Sequence, residues 1–353
     1  MKINLCYLTS FLVCALQIKF TLSKSGEPRT LAFIVDVTYS MIVDLEHIKV
    51  AFEAILKEIS FELDQNFGEY LFMPFHDPAI GFPLITENKT EFLEIIKMHY
   101  GTALHQNKDC EEMALPALYA ALHFVTPYSH IVIYTDDNSK RTDLLEGILN
   151  ITAIKRPKVS FVITPGCNFG ANDVEYEKIA NRTGGQIYEI TKKNVSSVTY
   201  ALHEHWKSEW FELKSIDFSY GGSHEIKFEV QDLSKILVSF TGKNAKVKIT
   251  DPNGKQEAGR SIMNMQNVQE IILENPINGI WKLEISALTH HRLRVMAIES
   301  DKHSSHYFAF FAAYCIVIGL ILCFCLYNYK FFSECFVKCW QSRPSLPQWL
   351  KCR

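Results

Sequence analysis

The 353-residue chain has no surplus of positive charge: 36 Lys and Arg stand against 39 Asp and Glu, a formal net charge of −3. Basic residues gather only in the C-terminal tail, which argues against a nucleic-acid partner, because such a partner needs a basic face. A Gly-x-Ser-x-Gly elbow and a glycine-rich phosphate cradle are both missing. Ser40 has no histidine near it in the sequence, so nucleophilic hydrolysis lacks its base. The histidines that occur are badly spaced for zinc: His203 and His205 flank Glu204, His290 and His291 are adjacent, and His76 precedes Asp77. Alternate positions on a helix point in different directions rather than at one ion. A binding protein therefore ranks above an enzyme, with a secreted-pathway hydrolase as the weaker alternative.

Cysteine is scarce where it would cross-link a fold. Of ten cysteines, Cys6 and Cys14 belong to an N-terminal leader, Cys315, Cys323 and Cys325 to an apolar run, and Cys335, Cys339 and Cys352 to the tail behind it. Cys110 and Cys167 remain between these segments, and an oxidising lumen would pair them. Residues 1–23, with Lys2, the apolar stretch Leu5 to Leu16 and the pattern Thr21-Leu22-Ser23, read as a signal peptide. Residues 307–329 carry no charge and are long enough to span a bilayer. Lys330, Lys338, Arg343, Lys351 and Arg353 follow them, which predicts a single-pass type I protein of the plasma membrane with residues 330–353 as its cytoplasmic tail. In that tail Cys335 and Cys339, set among Phe331, Phe332, Phe336 and Trp340, suit S-palmitoylation, with plain reduced thiols as the alternative. Asn88, Asn150, Asn181 and Asn194 head sequons and read as surface glycan sites.

What lies between the ends is organised in two parts. Residues 29–206 alternate strand patterns (Leu31 to Val35, Tyr70 to Phe75, His130 to Tyr134, Val159 to Ile163, Gln186 to Ile190) with helical ones, as at Asp44 to Leu63 and Val195 to Trp206. Alternation of this kind predicts an α/β fold, a doubly wound, mainly parallel sheet. Residues 210–300 change to short period-two strands separated by turns such as Asp251-Pro-Asn-Gly and predict a β-sandwich, a stalk or contact module without cysteine.

In a doubly wound sheet the binding crevice lies beyond the carboxyl ends of the strands. The first strand runs into Asp36-Val37-Thr38-Tyr39-Ser40, a carboxylate followed by two hydroxyls that a turn can aim at one point, as a hard divalent cation requires. Thr135-Asp136-Asp137 brings a second carboxylate to the same edge. The same residues would also serve if Asp36 capped the following helix and Asp136 a turn.

The run Phe33 to Met41, the helix after it and the strand Ile131 to Asp136 resemble a von Willebrand factor type A domain with its metal-ion-dependent adhesion site. Asp109-Cys110-Glu111-Glu112-Met113 and the strand Val159 to Thr164 followed by Gly166-Cys167 are similar to the amino-terminal A-like domain of hemicentins. The resemblance implies Mg²⁺, or Mn²⁺ or Ca²⁺, held by Asp36, Thr38, Ser40 and Asp136. It also implies an extracellular or matrix protein partner whose acidic residue completes the shell. For the remaining loop it leaves Thr102 and Glu111 as candidates, and it puts Tyr39 where the family usually has glycine. The function expected is adhesion or ligand capture at the cell surface, the alternative being a scaffold with a degenerate, metal-free site.

Overall fold

The computed structural model describes residues 29–58, 67–100, 110–166, 174–206 and 210–300. The leader, the apolar run 307–329 and the tail, with Cys335 and Cys339, lie outside them, as do Thr102 and Cys167. Among the described residues no helix is long and apolar enough to cross a membrane.

The first strand, β1 (Arg29–Asp36), is buried along almost its whole length because it sits in the middle of a sheet covered on both faces. Leu31, Phe33 and Val35 enter one core, and Ala32 and Ile34 enter the other, as the period of two demands. The sheet order is β3-β2-β1-β5-β6-β7, formed by β2 (Phe67–His76), β3 (Ala79–Ile80), β5 (His130–Thr135), β6 (Lys158–Ile163) and β7 (Ile187–Glu189), with β4 (Leu84–Thr86) also paired to β2. The pairs β1–β2, β1–β5, β5–β6 and β6–β7 are parallel, and the two short strands are antiparallel.

Helices α1 (Ile42–Glu58), α2 (Lys89–Tyr100) and α6 (Val195–Trp206) cover one face through Leu45, Ile48, Phe52, Phe92, Val198, Leu202 and Trp206. Helices α3 (Ala114–Phe124), α4 (Leu145–Lys155) and α5 (Val174–Thr183) cover the other. Phe33 is the hub of the first face, edge-on to Phe52 at 4.3 Å and to Trp206 at 5.8 Å between ring centres. The order of the parallel strands reverses between β1 and β5, and this switch point locates the crevice at their carboxyl ends.

The second part is two antiparallel sheets. One has the order β13-β14-β10-β16-β8, from β8 (Phe211–Phe218), β10 (Leu233–Gly242), β13 (Arg260–Asn264), β14 (Val268–Glu274) and β16 (His291–Glu299). The other, β12-β11-β15-β9, is built from β9 (Gly222–Val230), β11 (Lys246–Thr250), β12 (Gln256–Glu257) and β15 (Gly279–Ala287). Their facing sides share a core that includes Phe240, Val238 and Val295 from one sheet and Phe228, Trp281 and Leu283 from the other.

Candidate metal centre

Asp36 is the last residue of β1 and fully buried, and its carboxylate is oriented by two neighbours. Oδ1 accepts the Thr38 N–H at 2.9 Å, and Oδ2 accepts the Thr135 hydroxyl at 3.3 Å. The turn after the strand then sets the Thr38 and Ser40 hydroxyls 3.0 Å apart. Thr38 is buried while Ser40 and Tyr39 are exposed, Tyr39 by 58%, so the bulky ring stands at the rim. Asp136 follows β5 directly and is buried. Behind it the chain returns after β6 so closely that a Cβ on Gly166 would lie 2.0 Å from the Asp136 carbonyl oxygen, and only glycine allows that approach.

The third carboxylate is Glu112. Carboxylate oxygens of Asp36, Glu112 and Asp136 all lie within 4.8 Å of one another. The segment before α3 is held beside the loop after β5: the Glu112 N–H donates to Asn138 O at 2.8 Å and the Lys140 N–H to Glu112 O at 2.7 Å, forming a parallel bridge with Ser139. In that extended conformation neighbouring side chains point to opposite sides. Glu112 is buried among these carboxylates while Glu111, a candidate from the resemblance, is exposed, and Thr102 lies outside the described residues. The adjacent acids Glu111 and Glu112 are visible in the sequence, but which of them turns inward is set by the bridge and not by local propensity.

The three carboxylates disfavour one another's ionised forms. Burial, helped by the charge of Asp136, pushes the Asp36 carboxyl up to about 7 against the hydrogen bonds from Thr38 and Thr135 that favour its ionised form. Glu112 is pushed up to about 9, first by burial and then by Asp36, Asp136, Asp77 and Asp137. On the far side of Asp136 the Lys192 ammonium lies 3.2 Å from Oδ2 and 2.6 Å from Asp44 Oδ2.

Cys110, just ahead of Glu112, is disulfide-bonded. Of the sequon residues, Asn88, Asn150 and Asn181 are exposed and Asn194 is half-buried. Asn88 also accepts the N–H groups of Thr90 and Glu91 at the start of α2, and Asn181 accepts from Arg294 at 3.1 Å.

Residues 30–192 match the family model described as von Willebrand factor A domain, and residues 212–300 match the one described as Hemicentin galactose-binding domain-like. Hemicentin-2 of Mus musculus is 26% identical over 289 residues, 79% of this chain and 6% of that protein. Hemicentin-1 of Homo sapiens is 28% identical over 280 residues, 77% of this chain and 5% of that protein. The von Willebrand factor A domain-containing protein 7 of Rattus norvegicus is 25% identical over 301 residues, 79% of this chain and 33% of that protein. The chain thus spans a small fraction of the hemicentins and a third of the other relative.

Proposed function

We propose, from a von Willebrand factor A domain over residues 30–192 joined to a hemicentin-like β region, that this chain captures an extracellular or matrix protein through a divalent cation. The observation that carries the proposal is the convergence of the Asp36, Glu112 and Asp136 carboxylates at the point where strand order reverses. These residues would hold Mg²⁺, Mn²⁺ or Ca²⁺, with the Thr38 and Ser40 hydroxyls binding directly or through water. An oxygen of a partner's acidic residue would complete the shell past the rim at Tyr39. The disulfide at Cys110 supports an oxidising compartment, in keeping with an ectodomain held at the plasma membrane by residues 307–329. The test is capture of extracellular proteins by the chain with and without Mg²⁺, and by Asp36→Ala. Capture that survives both chelator and the substitution rejects the cation.

One contact favours a second reading. The Lys192 ammonium beside Asp136 supports a scaffold whose acidic centre is neutralised from within. Calorimetry separates the two, since a scaffold of this kind gives no heat with any divalent ion.

A further inference from the structure

The Lys192 side chain is held as an ion is held. Its Nζ donates its three N–H groups to Asp44 Oδ2 at 2.6 Å, the Ser40 carbonyl at 3.0 Å and Asp136 Oδ2 at 3.2 Å, with Thr164 Oγ1 a fourth oxygen at 3.4 Å. These oxygens come from the turn Tyr39–Met41, from the first turn of α1 and from the residues that follow β5 and β6. Surface lysines ordinarily meet one carboxylate in water. Here two carboxylates, a carbonyl and a hydroxyl surround one positive charge, which is the oxygen set a hard divalent ion takes. A second observation points the same way: Asp44 is fully buried, and its other oxygen, Oδ1, has no hydrogen-bond partner. The ammonium neutralises that carboxylate but leaves part of its ligating capacity unused.

We propose that Lys192 is a tethered cation, filling with its own ammonium a second cation position that shares Asp136 with the Asp36–Glu112–Asp136 centre. A divalent ion takes this position once the side chain is removed. Because Lys192 opens the turn Lys192–Asn194 that leads into α6, the start of that helix is fastened to the acidic centre by a charge that does not dissociate. Chelators that strip an exogenous ion therefore leave this fastening in place. The inference goes beyond the function proposed above, since it holds whether or not the first position binds a metal.

Bound Ca²⁺ and Mn²⁺ are counted by calorimetry and by metal analysis after dialysis, using the full chain and its variants. Lys192→Ala is expected to bind one more ion per chain than the wild type. Lys192→Met, whose stem fills the same space without charge, is expected to gain none. Asp36→Ala with Lys192→Ala is expected to keep the gained ion after the first position is lost. In chelator the melting temperature of Lys192→Ala should fall by several degrees below the wild type and recover with Mn²⁺ or Ca²⁺. A Lys192→Ala chain that binds no more ions than the wild type, or that is not rescued by either ion, overturns the proposal. If it does not fold in chelator, folding recovered by the ions supports the proposal and folding absent in their presence overturns it. Wild type binding no ion while Lys192→Ala binds one would sink the divalent-dependent function and leave the tethered cation standing.

Discussion

Binding of Mg²⁺ or Mn²⁺ to the metal-free protein at pH 7 should release between one and two protons per ion. A carboxylate must be ionised to ligate a metal, and burial with mutual repulsion places Asp36 at about 7 and Glu112 at about 9. At pH 7 the Glu112 proton is almost fully present and the Asp36 proton about half present, so roughly 1.5 protons must leave. At pH 6 the number rises to about two and at pH 8 it falls to about one, and the slope of log affinity against pH follows the same numbers. Calorimetry in two buffers of different ionisation enthalpy reads the released protons directly. The linked stability effect has a definite sign. Both carboxyls are raised above their unfolded values, so their contribution is fully present below about pH 4 and is lost as pH rises through about 7 and then about 9. Metal-free protein should therefore weaken between pH 5 and 9 by on the order of a few kcal/mol, and a saturating divalent ion should remove that loss. Heat that is independent of buffer and affinity that is flat in pH would show that these two carboxylates are not the ligands.

Replacing Cys110 by Ser should cost about 2 to 4 kcal/mol in denaturant unfolding, and peptide mapping without reduction should recover Cys110 linked to Cys167. Glu270→Ala should destabilise the folded chain by about 3 to 5 kcal/mol, because it strands the hydroxyls of Tyr188 and Ser239 and leaves His205 without its partner. Burial alone would raise the Glu270 carboxyl, but His205, Ser239 and Tyr188 hold it below the usual range, so this contribution is present above about pH 4.5 and lost on acidification below it; Glu270→Gln should flatten that part of the stability profile. Trp206→Ala should cost about 3 to 5 kcal/mol, measured by the same unfolding transition, since the fully buried indole fills the core against Phe33.

The parallel strands were legible because each is a short apolar run buried on both faces, and β1 with Leu31 to Val35 is the clearest case. The two additions to the sheet, Ala79–Ile80 and Leu84–Thr86, are too short and too exposed to leave a pattern; they exist because the edge of β2 pairs with whatever chain returns beside it. Asp36, Thr38, Ser40 and Asp136 could be read because each lies at the end of a recognisable strand or within a few residues past it. Glu112 could not, since its inward phase depends on a bridge to Ser139 that joins residues far apart in sequence. Lys192 is less legible still: a lysine before a helix resembles any solvated charge until the fold brings Asp44, Asp136, Ser40 and Thr164 around it.

The two parts of the chain also behave less like beads on a string than their sequence periods suggest. The described residues from 29 to 298 fall within one compact unit, and Met263 and Val268 of the β region are buried in the same cluster as Trp206, Val198 and Phe33. Glu270 on β14 is fully buried at this junction, where it accepts from Tyr188 of β7 at 3.0 Å and lies 3.0 Å from His205 Nε2 on α6. Arg294 on β16 reaches back to Ala180 O and the Asn181 side chain at the end of α5. A buried carboxylate satisfied from both sides penalises separation, because pulling the parts apart strands a charge on one side and donors on the other. Helix α6 is thus fixed at both ends, by Lys192 against the acidic centre at its start and by His205 with Glu270 at its finish.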